Sequence, residues 1–262
     1  MTVMLAITNQ KGGVGKTTVT VNIAGALGDI GYDALVVDLD PQGYLTSAVG
    51  FDDVYTAEPP SLNDALKEPG EYDLEALIRE HAEFAVLPAN IDMFTLEQDL
   101  VSAMQSRLRL DQAFATLGDS WDVVLVDCPP SLGLLTDNAL LACGNVLIPV
   151  EAEDTSIRAL ELLFKQIDSL EANFDRAIQE RALVVSNVDY PLDNEQEAML
   201  DWFDENFGDY LPIFEIRSRA AIKRAWNEGV SVFAHDEDVD QCDELRRIAE
   251  HVMTLDSPEV DP

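Results

Sequence analysis

One N-terminal succession constrains the fold more than any other feature: an apolar run, a loop of glycines and lysines, then a segment with helical spacing. Val3–Thr8 has the character of a buried strand and ends in Asn-Gln-Lys-Gly-Gly, the chemistry of a tight loop. Thr17–Gly28 then repeats apolar residues at helical intervals. A strand that feeds a glycine loop at a helix N-terminus gathers backbone N–H groups and the positive end of the helix dipole at one place. That is how a chain grips phosphate.

The loop reads Gln10-Lys11-Gly12-Gly13-Val14-Gly15-Lys16-Thr17-Thr18. Its glycines let the backbone curl so that successive amides aim inward. Lys16 is placed to bridge the β- and γ-phosphates, the Thr17 hydroxyl to sit on Mg²⁺, and Thr18 to bond the α-phosphate. The expected ligands are ATP and Mg²⁺. The ordinary phosphate-loop pattern has glycine where Gln10 stands, and a second lysine, Lys11, lies inside the loop.

Further apolar runs predict strands at Asp33–Leu39, Phe84–Leu87, Trp121–Val126, Asn145–Val150, Ala182–Val188 and Leu211–Ile216. Helical patterns fall near 61–80, 92–117, 155–172, 193–206, 218–228 and 239–254, with residues 50–60 as a surface excursion. This alternation predicts an α/β fold: a doubly wound, mostly parallel sheet with helices on both faces. One domain is expected over residues 1–262, with a disordered acidic tail over 255–262.

The chain carries 50 acidic residues against 16 basic ones, a net charge of −34, and only five of the basic residues are lysine. The acids are interleaved with apolar residues along the whole chain, which is unlike a disordered tract. Self-repulsion on this scale fits concentrated salt, where screening falls to about 3 Å at 1 M; a halophilic cytoplasm is the expectation. No apolar run approaches the roughly 18 residues of a membrane span, and the N-terminus lacks the features of a secretory leader. Cys128, Cys143 and Cys242 are far apart, which speaks against a zinc site or a disulfide framework and for small buried residues.

Two acidic strand ends complete the pattern. Val36-Val37-Asp38-Leu39-Asp40-Pro41-Gln42-Gly43 ends the second strand, and Val123-Val124-Leu125-Val126-Asp127-Cys128-Pro129-Pro130-Ser131-Leu132-Gly133 ends a later one. An apolar strand ending in Asp can hold a carboxylate on a magnesium-bound water, which makes Asp127 the metal-side acid.

Together these segments resemble the deviant Walker A ATPases, whose loop reads K-G-G-x-G-K-(S/T). The resemblance extends over nearly the whole chain and is strongest in residues 6–47 and 121–138. It implies that Lys11 reaches across an ATP-sandwiched homodimer to the partner's phosphates and acts like an arginine finger. In the switch I segment it places Asp40 beside the γ-phosphate, where a carboxylate can orient water and is a further metal candidate. Asp38 is expected to support the loop lysines by charge-assisted hydrogen bonds. The resemblance also implies Asn187 against adenine, where turn chemistry explains the residue almost as well. Arg217 and Arg219 follow as contacts beside the base and dimer face, or as simple ion pairs on an acidic surface.

Within that family the motifs are most similar to ParA/Soj partition ATPases. The implied activity is slow ATP hydrolysis stimulated by a ParB-like centromere-binding protein, with non-specific DNA bound by the ATP dimer near the nucleoid. The chain starts at its first strand, so no N-terminal helix-turn-helix is expected. Candidate DNA contacts are Arg217, Arg219, Lys223, Arg224, Arg246 and Arg247, with pairing to neighbouring carboxylates as their other reading. A MinD-like membrane-associated ATPase is the rival. Its basic amphipathic C-terminal helix is not matched by Leu245, Ile248, Ala249 and Val252, at core spacing, or by the acidic tail, so no stable membrane association is expected. A nucleotide-gated adaptor for another cargo stays open.

Overall fold

A computed structural model describes residues 2–235 and 238–255; the expected tail beyond Leu255 lies outside them. Strand β1 (Val3–Ile7) leads through the glycine loop into α1 (Lys16–Asp29), and β2 (Ala34–Asp38) follows. Three short helices, α2 (Tyr44–Ala48), α3 (Asp52–Tyr55) and α4 (Leu62–Lys67), precede β3 (Arg79–Glu80) and β4 (Ala85–Leu87). Next come α5 (Leu96–Leu100), α6 (Arg109–Phe114), β5 (Val123–Asp127) and α7 (Leu134–Cys143). The second half holds β6 (Asn145–Glu151), α8 (Thr155–Phe174), β7 (Gln179–Val188), α9 (Asn194–Phe207) and β8 (Ile213–Arg217). It closes with α10 (Ala220–Glu228), α11 (Val232–His235) and α12 (Gln241–Met253).

The strands form one eight-stranded sheet in the order β3-β4-β2-β5-β1-β6-β7-β8. Every pairing is parallel except β3 with β4, so the expected doubly wound, mostly parallel sheet is what forms. Side chains alternate across it. Val3, Leu5 and Ile7 pack with Ile23, Leu27, Leu245 and Ile248 from α1 and α12 on one face. Leu35, Val37, Val124 and Val126 pack with Leu66, Leu140, Leu163 and Phe203 from helices of the other face. Burial on both faces explains the near-continuous apolar runs of the central strands. Each such side chain contributes about 1.5–3 kcal/mol on leaving water, and truncating fully buried Ile23 to Ala costs about 2–5 kcal/mol.

Three regions differ from expectation. The helical patterns over 92–117 resolve into short pieces: a 3₁₀ turn at Ile91–Thr95 leads into α5, and another at Ser106–Leu108 separates α5 from α6. Gln105 adopts φ 53, which no helix interior accommodates, and Val101 and Met104 point to solvent. Strand β3 is too short to carry an alternation signal. The excursion at 50–60 contains α3, whose Tyr55 hydroxyl donates to the Pro41 carbonyl at 2.8 Å. A Cβ on Gly43 would meet the Tyr55 ring at 2.4 Å, and Gly43 also has φ 61, so glycine is required there twice over. Cys128, Cys143 and Cys242 are buried, and none forms a disulfide among the described residues.

Candidate functional site

The carboxyl ends of β1, β2, β5, β6 and β7 converge on the loop after β1. Gly13 and Gly15 take φ 83 and 78, the left-handed backbone that curls the loop, and Gly15 caps α1. Val14 anchors the loop in the core, and its carbonyl accepts from the Ser186 hydroxyl at 2.7 Å. The same hydroxyl lies 3.2 Å from the Val150 carbonyl and shares its one proton between the two, which ties the loop to β6 and β7.

The two loop lysines occupy different environments. Lys16 is buried, and its Nζ donates to the Lys11 carbonyl at 3.3 Å. Burial lowers its pKa; the charges of Asp127, Cys128 and Asp40 oppose that shift only in part. Lys11 is half-buried, with Nζ 3.0 Å from Glu151 Oε2 and 2.5 Å from Glu153 Oε2. Burial works to lower its pKa, but hydrogen bonds and charge from Glu153 and Glu151 outweigh it and the net shift is upward.

Parallel pairing sets Asp38 and Asp127 side by side at the ends of β2 and β5. Both are buried. Burial raises Asp127 to about 8, with the charge of Asp38 adding to the rise and a hydrogen bond from Thr17 opposing it. The Thr20 hydroxyl donates to Asp127 Oδ1 at 3.3 Å. The expected metal-side pair, Thr17 and Asp127, is therefore brought together. Burial likewise raises Asp38 to about 6.

Asp38 does not make the expected bonds to the loop lysines. Its Oδ2 accepts from the Thr46 amide at 2.8 Å and the Thr46 hydroxyl at 2.6 Å, and its Oδ1 from the Asp40 amide at 3.2 Å. Two donors from the N-terminal turn of α2 occupy Oδ2 and the Asp40 amide takes Oδ1, so Asp38 shapes the loop that carries Asp40. The half-buried Asp40 accepts from the Gln42 amide at 2.9 Å, and burial raises its pKa.

Beside the loop lies a cavity of about 420 Å³ whose lining includes Gly15, Thr18, Asn187, Arg217, Arg219 and Lys223. Asn187 has φ 56 and sits where the β7–β8 register shifts between Val185 and Val188. Such an irregularity re-aims a side chain. Arg217 stacks over the Tyr190 ring at 3.9 Å, and Arg219 grips Asp240 with contacts of 2.9 and 2.6 Å. Among the DNA candidates, Arg246 pairs with Asp29 at 2.7 Å and Arg247 with Glu244 at 2.6 Å. Lys223 and Arg224 are exposed on α10, and Arg224 Nε lies 3.4 Å from His235 Nε2. A left-handed glycine loop, a buried lysine, a Thr–Asp pair and an adjoining cavity fit a magnesium nucleoside triphosphate.

The profile of the AAA domain family matches residues 2–180. Sporulation initiation inhibitor protein Soj of Bacillus subtilis is 35% identical over 188 residues, 71% of this chain and 73% of that protein. The chain belongs to the ParA/Soj family of P-loop ATPases. Chromosome-partitioning ATPase Soj of Treponema pallidum is 29% identical over 255 residues, 96% of this chain and 97% of that one. An uncharacterized protein of Mycobacterium tuberculosis is 36% identical over 209 residues, 79% of this chain, and the match spans only 65% of that longer protein. Among solved structures, cobyrinic acid a,c-diamide synthase from Mycobacterium smegmatis with bound ADP and magnesium superposes at TM-score 0.80, with 28% identity and 100% of both chains covered. MinD from Pyrococcus horikoshii with Mg-ADP superposes at 0.73, with 25% identity, 96% of this chain and 96% of that chain covered.

Within the family the reading of Lys11–Thr18, Asp40 and Asp127 follows from local motifs. Ser186, Thr46, Glu151 and Glu153 were not foreseen, because each acts through a partner from another strand or loop. Among the described residues no helix is long and apolar enough to cross a membrane.

Proposed function

We propose that this ParA/Soj family member hydrolyses ATP with Mg²⁺ slowly, as an ATP-dependent homodimer, and serves DNA partition. The observation that carries this is the contrast between its two loop lysines: Lys16 is buried inside its own loop, whereas Lys11 is half-buried at the rim and paired with Glu151 and Glu153. Lys16 with the loop amides would hold the phosphates, and Thr17 and Asp127 would hold magnesium, whose role is to offset charge on the phosphates. Asp40 would orient the attacking water, and Lys11, released from Glu151 and Glu153, would be supplied to the second copy. That need for a second copy makes turnover dependent on dimerisation. A ParB-like partner would stimulate it. The role named for the Treponema relative supports partition of DNA over other cargo.

Lys223 and Arg224 are the best DNA contacts, because Arg219, Arg246 and Arg247 are already close to carboxylates. With a net charge of −34 on each chain, the dimer would hold DNA weakly unless these exposed cations are grouped. The test is sedimentation of Asp40→Ala with ATP, ADP or no nucleotide, adding DNA and liposomes in turn. Co-sedimentation with DNA in ATP alone, lost on charge reversal at Lys223 and Arg224, is the expected result. Binding to liposomes instead would favour a MinD-like role, and binding to neither an adaptor. The acidic surface also supports a halophilic setting, and full stability in dilute buffer would count against it.

A further inference from the structure

Glu151 ends β6 with each carboxylate oxygen committed to a different part of the cleft. Oε2 accepts from Lys11 Nζ at 3.0 Å, and Oε1 accepts from Asn187 Nδ2 at 3.1 Å. An ionised carboxylate can only accept hydrogen bonds. Asn187 must therefore turn its amide nitrogen toward Glu151, which leaves its amide oxygen for the cavity that the residue lines. The left-handed backbone of Asn187, at the register shift in β7, keeps the side chain at this place.

We propose that Glu151 is a positioning residue that selects the purine: by fixing the Asn187 amide, it presents an acceptor to a 6-amino base and rejects a 6-oxo base. The inference rests on the reading of the cleft as an ATP site. Adenine's exocyclic amino group donates to the Asn187 oxygen. Hypoxanthine or guanine brings a carbonyl oxygen to the same place, and two acceptors face each other without a proton between them. Without Glu151 the amide is free to turn over, and either base finds a partner. Glu153 holds Lys11 but makes no bond to Asn187, so it provides an internal control.

The experiment is equilibrium competition of ATP and ITP against a fluorescent ATP analogue. ITP differs from ATP in the 6-oxo group and in the N1 proton that accompanies it. Wild type prefers ATP, and in Glu151→Gln, whose amide both donates and accepts, that preference falls about tenfold. Asn187→Ala, at an exposed position, loses it equally and does not depend on how Glu151→Gln folds. Glu153→Gln keeps the wild-type ratio. Equal affinity of wild type for ATP and ITP, or an unchanged ratio in Glu151→Gln or Asn187→Ala, overturns the proposal. Unimpaired nucleotide binding by Lys16→Ala is a separate result, which would remove the phosphate-loop reading itself.

Discussion

The two flanks of the cleft handle negative charge in opposite ways. On the phosphate flank Asp38 and Asp127 are buried, and loss of water raises them to about 6 and about 8. On the base flank Glu151 and Glu153 keep contact with solvent, and hydrogen bonds and charge from Lys11 draw Glu153 below its ordinary range. The first arrangement is short of positive charge and gains most when a cation arrives. The second consists of partly exposed pairs worth about 0–1 kcal/mol each, which rearrange at little cost. The cleft thus combines a fixed half that waits for a cation with a half whose contacts can be exchanged.

The largest expected effect breaks the comparison at Lys11. Lys11→Ala should lower turnover about a thousandfold, as loss of a finger-like cation does, while ATP binding to the monomer stays within a few-fold of wild type. Single-turnover hydrolysis and calorimetry check this; equal losses in both would place Lys11 in its own loop.

A smaller effect sharpens the buried half. In protein free of nucleotide and magnesium, Asp127 ionises near 3.8 when unfolded, and burial raises it to about 8 when folded. Between those values the folded state binds more protons, so stability falls as pH rises. Asp127→Asn lacks this dependence. Its melting temperature should gain on wild type from about pH 4 upward and stop gaining above about pH 8. A pH-independent difference would show that burial at this strand end does not shift the carboxyl.

The smallest effects compare one pair from each half. Ser186→Ala leaves the buried Val14 carbonyl without its donor and should cost about 1–3 kcal/mol in denaturant unfolding. Arg219→Ala breaks the exposed contact with Asp240 and should cost less than about 1 kcal/mol. The reverse ranking would place rigidity on the base flank.

The phosphate half was legible because its chemistry is local. Glycines, Lys16 and Thr17 follow a strand without interruption, and Asp40 and Asp127 end apolar runs, so position in the fold and position in the chain coincide. The base half was legible only in outline. Nothing near Glu151 in the chain announces that its partners will be Lys11 and Asn187, since parallel crossovers bring them together. The break between α5 and α6 was hidden for another reason: exposed Val101 and Met104 supply apolar spacing without burial.

Because β2, β5 and β1 pair in register, the sheet itself acts as a ruler for the reacting groups. Asp38 is opposite Asp127, and Asp127 opposite Ile7, from which the loop departs. Side chains on a strand alternate, so inserting one residue into β2 would swing its terminal acid to the other side of the layer. Two added residues would restore the side but overshoot by roughly 6–7 Å. Length in these strands is thus as much a part of the chemistry as the identity of the acids they deliver.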